Sequence, residues 1–119
     1  MKTTDLNEEQ QRVLVKIAHP KHLDLFVDSP HTRVRRGVAR FGTDKHRDKL
    51  LHDEDITVRQ NIAIKGNDSH RDTLVKDKHP AVRMLVAKHG NKEHMKALLN
   101  DDNEFIRDAA HFRLKQLSE

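Results

Sequence analysis

The sequence predicts an all-α fold, a solenoid of about four 24-residue two-helix units plus a C-terminal capping helix. Three observations point there. The pattern Val58-Arg59-Gln60-Asn61-Ile62-Ala63 recurs at a spacing of 24, as Val34-Arg35-Arg36-Gly37-Val38-Ala39 upstream, then as Val82-Arg83-Met84-Leu85-Val86-Ala87 and Ile106-Arg107-Asp108-Ala109-Ala110 downstream. The first three copies in chain order each sit between a polar turn and a glycine, Gly42, Gly66 or Gly90. Hydrophobic residues are 34% and charged residues 35% of the 119, too few apolar groups for a sphere of this size but enough for an elongated stack.

The elements follow in order. Residues 1–3 read as a disordered start. Asp5 with Glu8 fits a capping box, and Leu6, Val13, Leu14 and Ile17 mark a first helix to about Ala18. His19-Pro20 breaks it, and Pro20 suits the first position of a short helix ending near Val27. This unit, 4–27, is degenerate, as terminal repeats with one wet side usually are. Three clean units follow, 28–52, 53–76 and 77–100, then a capping helix over 101–117, all within a single domain, 1–119. Each unit opens at Ser29, Asp53, Asp77 or Asp101, and His31, Asp55, His79 or Asn103 stands two residues on at a helix N-cap. A helix of about ten residues then runs to the glycine, which reads as a left-handed C-cap. Thr43-Asp44, Asn67-Asp68 and Asn91 begin a shorter helix that ends in Leu50-Leu51, Leu74-Val75 and Leu98-Leu99. Both helices are short for isolated stability, so neighbour packing must hold them.

This spacing, with a His four residues before a Leu and then an Asp, resembles the leucine-rich repeat variant, a 24-residue relative of HEAT-type helical repeats. The resemblance covers about residues 20–114. It implies a right-handed superhelix of alternating long and short helices. The founding type carries a cysteine-rich iron–sulfur segment; this chain has no cysteine, so no cofactor carries over. HEAT-like relatives mostly bind proteins, and a minority bind nucleic acid or excise bases. The resemblance therefore favours binding without choosing a ligand.

At 100° per residue, with the Val of each long helix at 0°, the Val or Ile four on falls near 40° and the Ala five on near 140°. Arg35, Arg59, Arg83 and Arg107 fall near 100°, inside that buried arc. We read them as a ladder in the seams between units, paired with the turn aspartates Asp53, Asp77 and Asp101, rather than as ligand contacts. Such buried charge specifies register more than it stabilises. The side near 200–300° is the expected recognition face. It runs from Arg33, Arg36, Gly37 and Arg40, through Thr57, Gln60, Asn61 and Ile64, to Ala81, Met84, Leu85 and Lys88, then Phe105, Asp108, Ala109 and Phe112. It grades from basic to apolar, and an exposed apolar patch points to a protein partner or self-association.

His22, His46, His70 and His94 also recur every 24 residues. Packed helices lie about 8–10 Å apart, too far for successive histidines to share a zinc at about 2.0 Å. They read as hydrogen-bonded packing residues at the core edge, and no metal is expected. The net charge is +4 and the pI about 9.5, a balance that favours acidic partners. Arg33, Arg35, Arg36 and Arg40 with Lys45 and Arg47 are the nucleic-acid candidates. Against them stand 19 acidic residues and the lack of Trp and Tyr for base stacking. There is no cysteine nucleophile, Gly-rich phosphate loop or nucleophile elbow, so an enzyme is not expected. No apolar run reaches signal-peptide or membrane-span length, and we expect a cytoplasmic protein.

The expected function is a non-enzymatic module that binds a protein partner through Arg33, Arg36, Arg40, Ile64, Met84, Leu85, Lys88 and Phe112. The alternative is nucleic-acid binding through the basic N-terminal end. Monomer and homodimer both stay open.

Overall fold

Each 24-residue stretch becomes a long helix followed by a short one. The computed structural model describes residues 5–119, so the expected disordered start over 1–3 lies outside the described residues. The long helices are α1 (Glu8–Ile17), α2 (Thr32–Phe41), α4 (Ile56–Lys65), α6 (Pro80–His89) and α8 (Glu104–Leu117). The short ones are a 3-10 helix (Pro20–Leu25), then α3 (Asp44–Leu50), α5 (Asp68–Leu74) and α7 (Lys92–Leu98). Helix makes up 71% of the described residues, and no strand occurs among them. Each long helix packs chiefly on the long helices before and after it, and α7 packs on α8. The molecule measures 50 × 24 × 18 Å. No helix is long and apolar enough to cross a membrane among the described residues.

The local chemistry explains the boundaries. Asp55 accepts the backbone N–H of Thr57 and Val58, His79 that of Ala81, and Asn103 those of Phe105 and Ile106. His31 holds the same position without a side-chain cap. The short helices start in capping boxes: the residue at the cap and a histidine three on bond each other's backbone N–H, Thr43 with His46, Asn67 with His70, Asn91 with His94.

Three expectations need correction. The first helix is capped by Asn7 and Gln10, not Asp5 and Glu8. Its buried face is Gln11 and Val15, while Val13 and Ile17 are 47% and 73% exposed, because among the described residues α2 covers only one flank of α1. The glycines are not left-handed: Gly42, Gly66 and Gly90 have φ of −81°, −74° and −75°. The next helix cap follows immediately, so the chain must stay extended there. Glycine is needed for space instead. A Cβ at Gly66 would lie 2.6 Å from the Ile62 carbonyl oxygen and 2.6 Å from His70 Nδ1.

The core is the predicted one. Val34, Val38 and Ala39, their equivalents 24 and 48 residues on, and Ile106 and Ala110 are buried. Leu50, Leu74 and Leu98 of the short helices close it from below, with Leu23 and Phe26 at the N-terminal end. Each such side chain contributes roughly 1.5–3 kcal/mol by leaving water.

Candidate binding face

The seams come first, because they decide which cations are free to bind anything. Arg35 Nε donates to Asp53 Oδ2, Arg59 Nε to Asp77 Oδ2 and Arg83 Nε to Asp101 Oδ2, each at 2.8 Å. Each guanidinium also reaches back six residues to a carbonyl, Ser29, Asp53 and Asp77 respectively. The same carboxylates accept the N–H of Asp55, His79 and Asn103, which fixes the turn. The ion pair therefore joins two seams and a turn at one point. Hydrogen bonding to Asp53 holds the Arg35 pKa above its ordinary value, and Arg83 is raised in the same way by Asp101. Burial pushes the Asp101 carboxyl up, but the hydrogen bonds from Arg83 and the Asn103 N–H outweigh it and leave it lowered. Arg107 continues the ladder to the Asp101 carbonyl, at 2.7 Å, and forms no ion pair among the described residues.

At the N-terminal end uncharged groups replace the pair. Gln11 stands 24 residues before Arg35, and Ser29 24 before Asp53. Ser29 Oγ donates to Gln11 Oε1 at 2.7 Å, and Gln11 Nε2 donates to the Leu6 carbonyl. The sequence held this substitution in register, but a rule looking for charge passes over it.

Two further ladders tie the short helices. The N-cap backbone N–H donates to Nδ1 of His46, His70 and His94, which leaves Nε2 to donate to Asp24, Asp48 and Asp72 at 2.6–2.7 Å. These are the expected packing histidines. His22 is the exception: it is exposed beside His19, ring centroids 6.4 Å apart. Arg47 and Arg71 cap the preceding long helix. Their Nε atoms donate to the Ala39 and Ala63 carbonyls at 2.8 Å, and Nη2 to the Arg40 and Ile64 carbonyls. Met95 occupies the third such position and is fully buried. Arg113 of α8 takes over, donating to the carbonyls of Ala87, Lys88 and Gly90. The 24-residue spacing of Arg47 and Arg71 was visible in the sequence; Arg113 lies off it and was not.

Arg35 and Arg47 are thus consumed by the fold and leave the basic cluster. Lys45 stays exposed on α3, outside the groove; Arg33, Arg36 and Arg40 remain, and α1 adds Arg12 and Lys16, which the sequence reading missed. The signal was there: Arg12 lies 24 residues before Arg36, and Lys16 24 before Arg40. Together with Val15, Gly37, Phe41 and Asn61 they line an open groove of about 630 Å³. Arg12 bonds the exposed Glu9 at 3.1 Å. Arg33, Arg36, Arg40 and Lys16 form no ion pair among the described residues; the Arg40 guanidinium lies 5.5 Å from the Phe41 ring centroid.

The apolar half of the face is smaller than expected. Ile64, Met84 and Leu85 are half-buried, and the last two pack on the core. A helix angle alone places them in water; the long helices on either side cover them. Phe105 and Phe112 do stand out, 69% and 65% exposed, two turns apart on α8. Lys88 is exposed in the last turn of α6, and Asp108 lies between the two phenylalanines along α8. Beside Lys88, burial and then the cations Arg71, Lys88, Arg113 and Lys65 hold the His89 pKa below its usual value.

No three His, Asp or Glu side chains come together as a metal site among the described residues. No protein-family model matches the chain, and neither a curated protein nor a solved structure matches it.

Proposed function

We propose that the chain is a right-handed HEAT-like helical-repeat solenoid that works as a non-enzymatic interaction module. It takes an acidic protein partner on the exposed side of its long helices. One observation carries the reading. That side gathers five cations at one end, in the α1–α2 groove, and two exposed phenylalanines at the other, on α8. Most of the chain's other arginines are tied up in seams and caps. A protein with an acidic stretch and an apolar contact fits both ends; charge would orient it and set its on-rate, and the phenylalanines would supply buried area.

A second reading is a nucleic acid held by its phosphate backbone, favoured by the same five cations. A pull-down with half of the sample treated with nuclease separates the two. The protein reading expects a partner that survives nuclease and is lost with Phe112→Asp, helical content unchanged by circular dichroism. A bait whose captured material vanishes with nuclease would remove it. Met84→Asp is the weaker probe, because Met84 packs on the core and its loss would also cost stability.

A further inference from the structure

We propose that the groove between α1 and α2 receives a phosphate group carried on a side chain of the partner. The inference rests on the reading that the partner is a protein, and it names the chemistry at one end of that contact. Arg33, Arg36 and Arg40 rise along one face of α2, spanning about 10 Å at 1.5 Å per residue. None has a carboxylate partner among the described residues, and Arg36 is half-buried. Like charges so close repel one another, so the cluster suits a guest of concentrated negative charge. A phosphorylated side chain carries roughly −1.5 to −2 charge and three acceptor oxygens, against one diffuse charge on Asp or Glu. Arginine presents a planar fork that meets two of those oxygens at once.

Gly37 adds an independent reason. It sits inside a helix, where glycine costs about 1 kcal/mol relative to alanine, while the equivalent positions carry Asn61, Leu85 and Ala109. A Cβ there would meet Val15 Cγ1 at 3.0 Å. Without one, α1 comes close, which brings Arg12 and Lys16 alongside the α2 arginines, and the groove floor stays open. The charge is local: taking the five groove cations from a net +4 leaves the rest of the chain at −1. A volume of about 630 Å³ is in the range of sites for compact ligands. A long nucleic acid would call for cations spread along the whole face, and for free aromatic rings; Phe41 is already engaged by Arg40.

The test uses the full chain and three immobilised peptide libraries of random sequence around a fixed phosphoserine, glutamate or serine, with duplex DNA alongside. Retention on the phosphoserine library should exceed that on the glutamate library by about tenfold or more. Arg36→Lys keeps the charge but loses the fork, so it should lose most of that advantage. Lys115→Gln, on the exposed end of α8, should not change it. Equal retention on phosphoserine and glutamate overturns the phosphate inference and leaves the acidic-partner reading standing. Retention on none of the libraries overturns the inference too, and the protein reading then rests on Phe112→Asp alone. Tighter binding to duplex DNA, falling steeply with salt, overturns both.

Discussion

The seam between α4 and α6 closes on a buried ion pair, Arg59 with Asp77, both side chains 6% exposed. The seam between α1 and α2 closes on Gln11 and Ser29, uncharged and equally buried. Both do the same geometric work. Each donates to a carbonyl at the start of its own unit, and each secures the turn that opens the next: Asp77 accepts the His79 N–H, and Ser29 accepts the His31 N–H. Packing in this molecule therefore requires a satisfied polar bridge between turns, and charge is one of two chemistries that provide it. The difference lies in what happens when half of a bridge is removed. A buried guanidinium without its carboxylate is far more costly than an amide without its hydroxyl.

That contrast gives the largest expected effect. Asp77→Ala leaves Arg59 buried and unpaired, and should cost about 3–5 kcal/mol in urea unfolding; a loss below about 1 kcal/mol would mean that the ladder is solvated and the contrast empty. Transplanting the N-terminal chemistry sharpens it. Arg59→Gln combined with Asp77→Ser should cost less than Asp77→Ala alone, with a coupling of about 2 kcal/mol or more in a double-mutant cycle. Additive costs would show that the neutral bridge works only at a terminus. Next comes the cap. Arg71→Met copies the Met95 of the third unit without the compensating Arg113, and should cost about 1–2 kcal/mol through carbonyls left without donors. Arg113→Ala should cost a similar amount in hydrogen exchange at the α6 C-terminus.

Acid gives the smaller effects. The Asp101 pKa is lowered in the fold. Its stabilisation is therefore full above the unfolded value near 3.8 and is lost as pH falls through the depressed folded value. The α6–α8 seam should open below about pH 4 before the α1–α2 seam, whose buried bridge of Gln11 and Ser29 is uncharged and whose carboxylate contact, Glu8 with His31 at 3.3 Å, is half-exposed, as amide exchange at Ile106 and Val34 would report. Simultaneous opening would break the comparison. His89, also lowered, favours its neutral form, so its contribution is present above the unfolded value of 6.5 and declines as pH falls from there. His89→Gln should flatten the stability profile between about pH 5 and 7 by a small amount.

Much of this was legible in the chain itself. Val58, Ile62 and Ala63 recur at fixed spacing because each unit presents the same helix arc to its neighbours, and period alone then marks them as core. Arg59 lay inside that arc, so a paired, buried role fitted it better than a ligand contact. His70 was equally legible, since distance excludes a shared metal. Other features were not. Ile64, Met84 and Leu85 fall on the wet side of a single helix, and only the two flanking helices cover them. Gly66 was assigned the wrong conformation, because a helix-end glycine is usually required by φ, and here by the room left beside the Ile62 carbonyl and the His70 ring.

The sequence by itself determined the helix pairs, the boundaries of those after the first, the apolar arc and the three charged bridges, because these are set by spacing within about one unit and by local hydrogen bonding. Tertiary structure alone decided which polar groups remain available. Arg47 and Arg113 are spent on carbonyls that other segments bring to them, while Arg12 and Lys16 are left beside Arg36 and Arg40. Availability depends on what a neighbouring helix covers, and that is fixed only when the units pack.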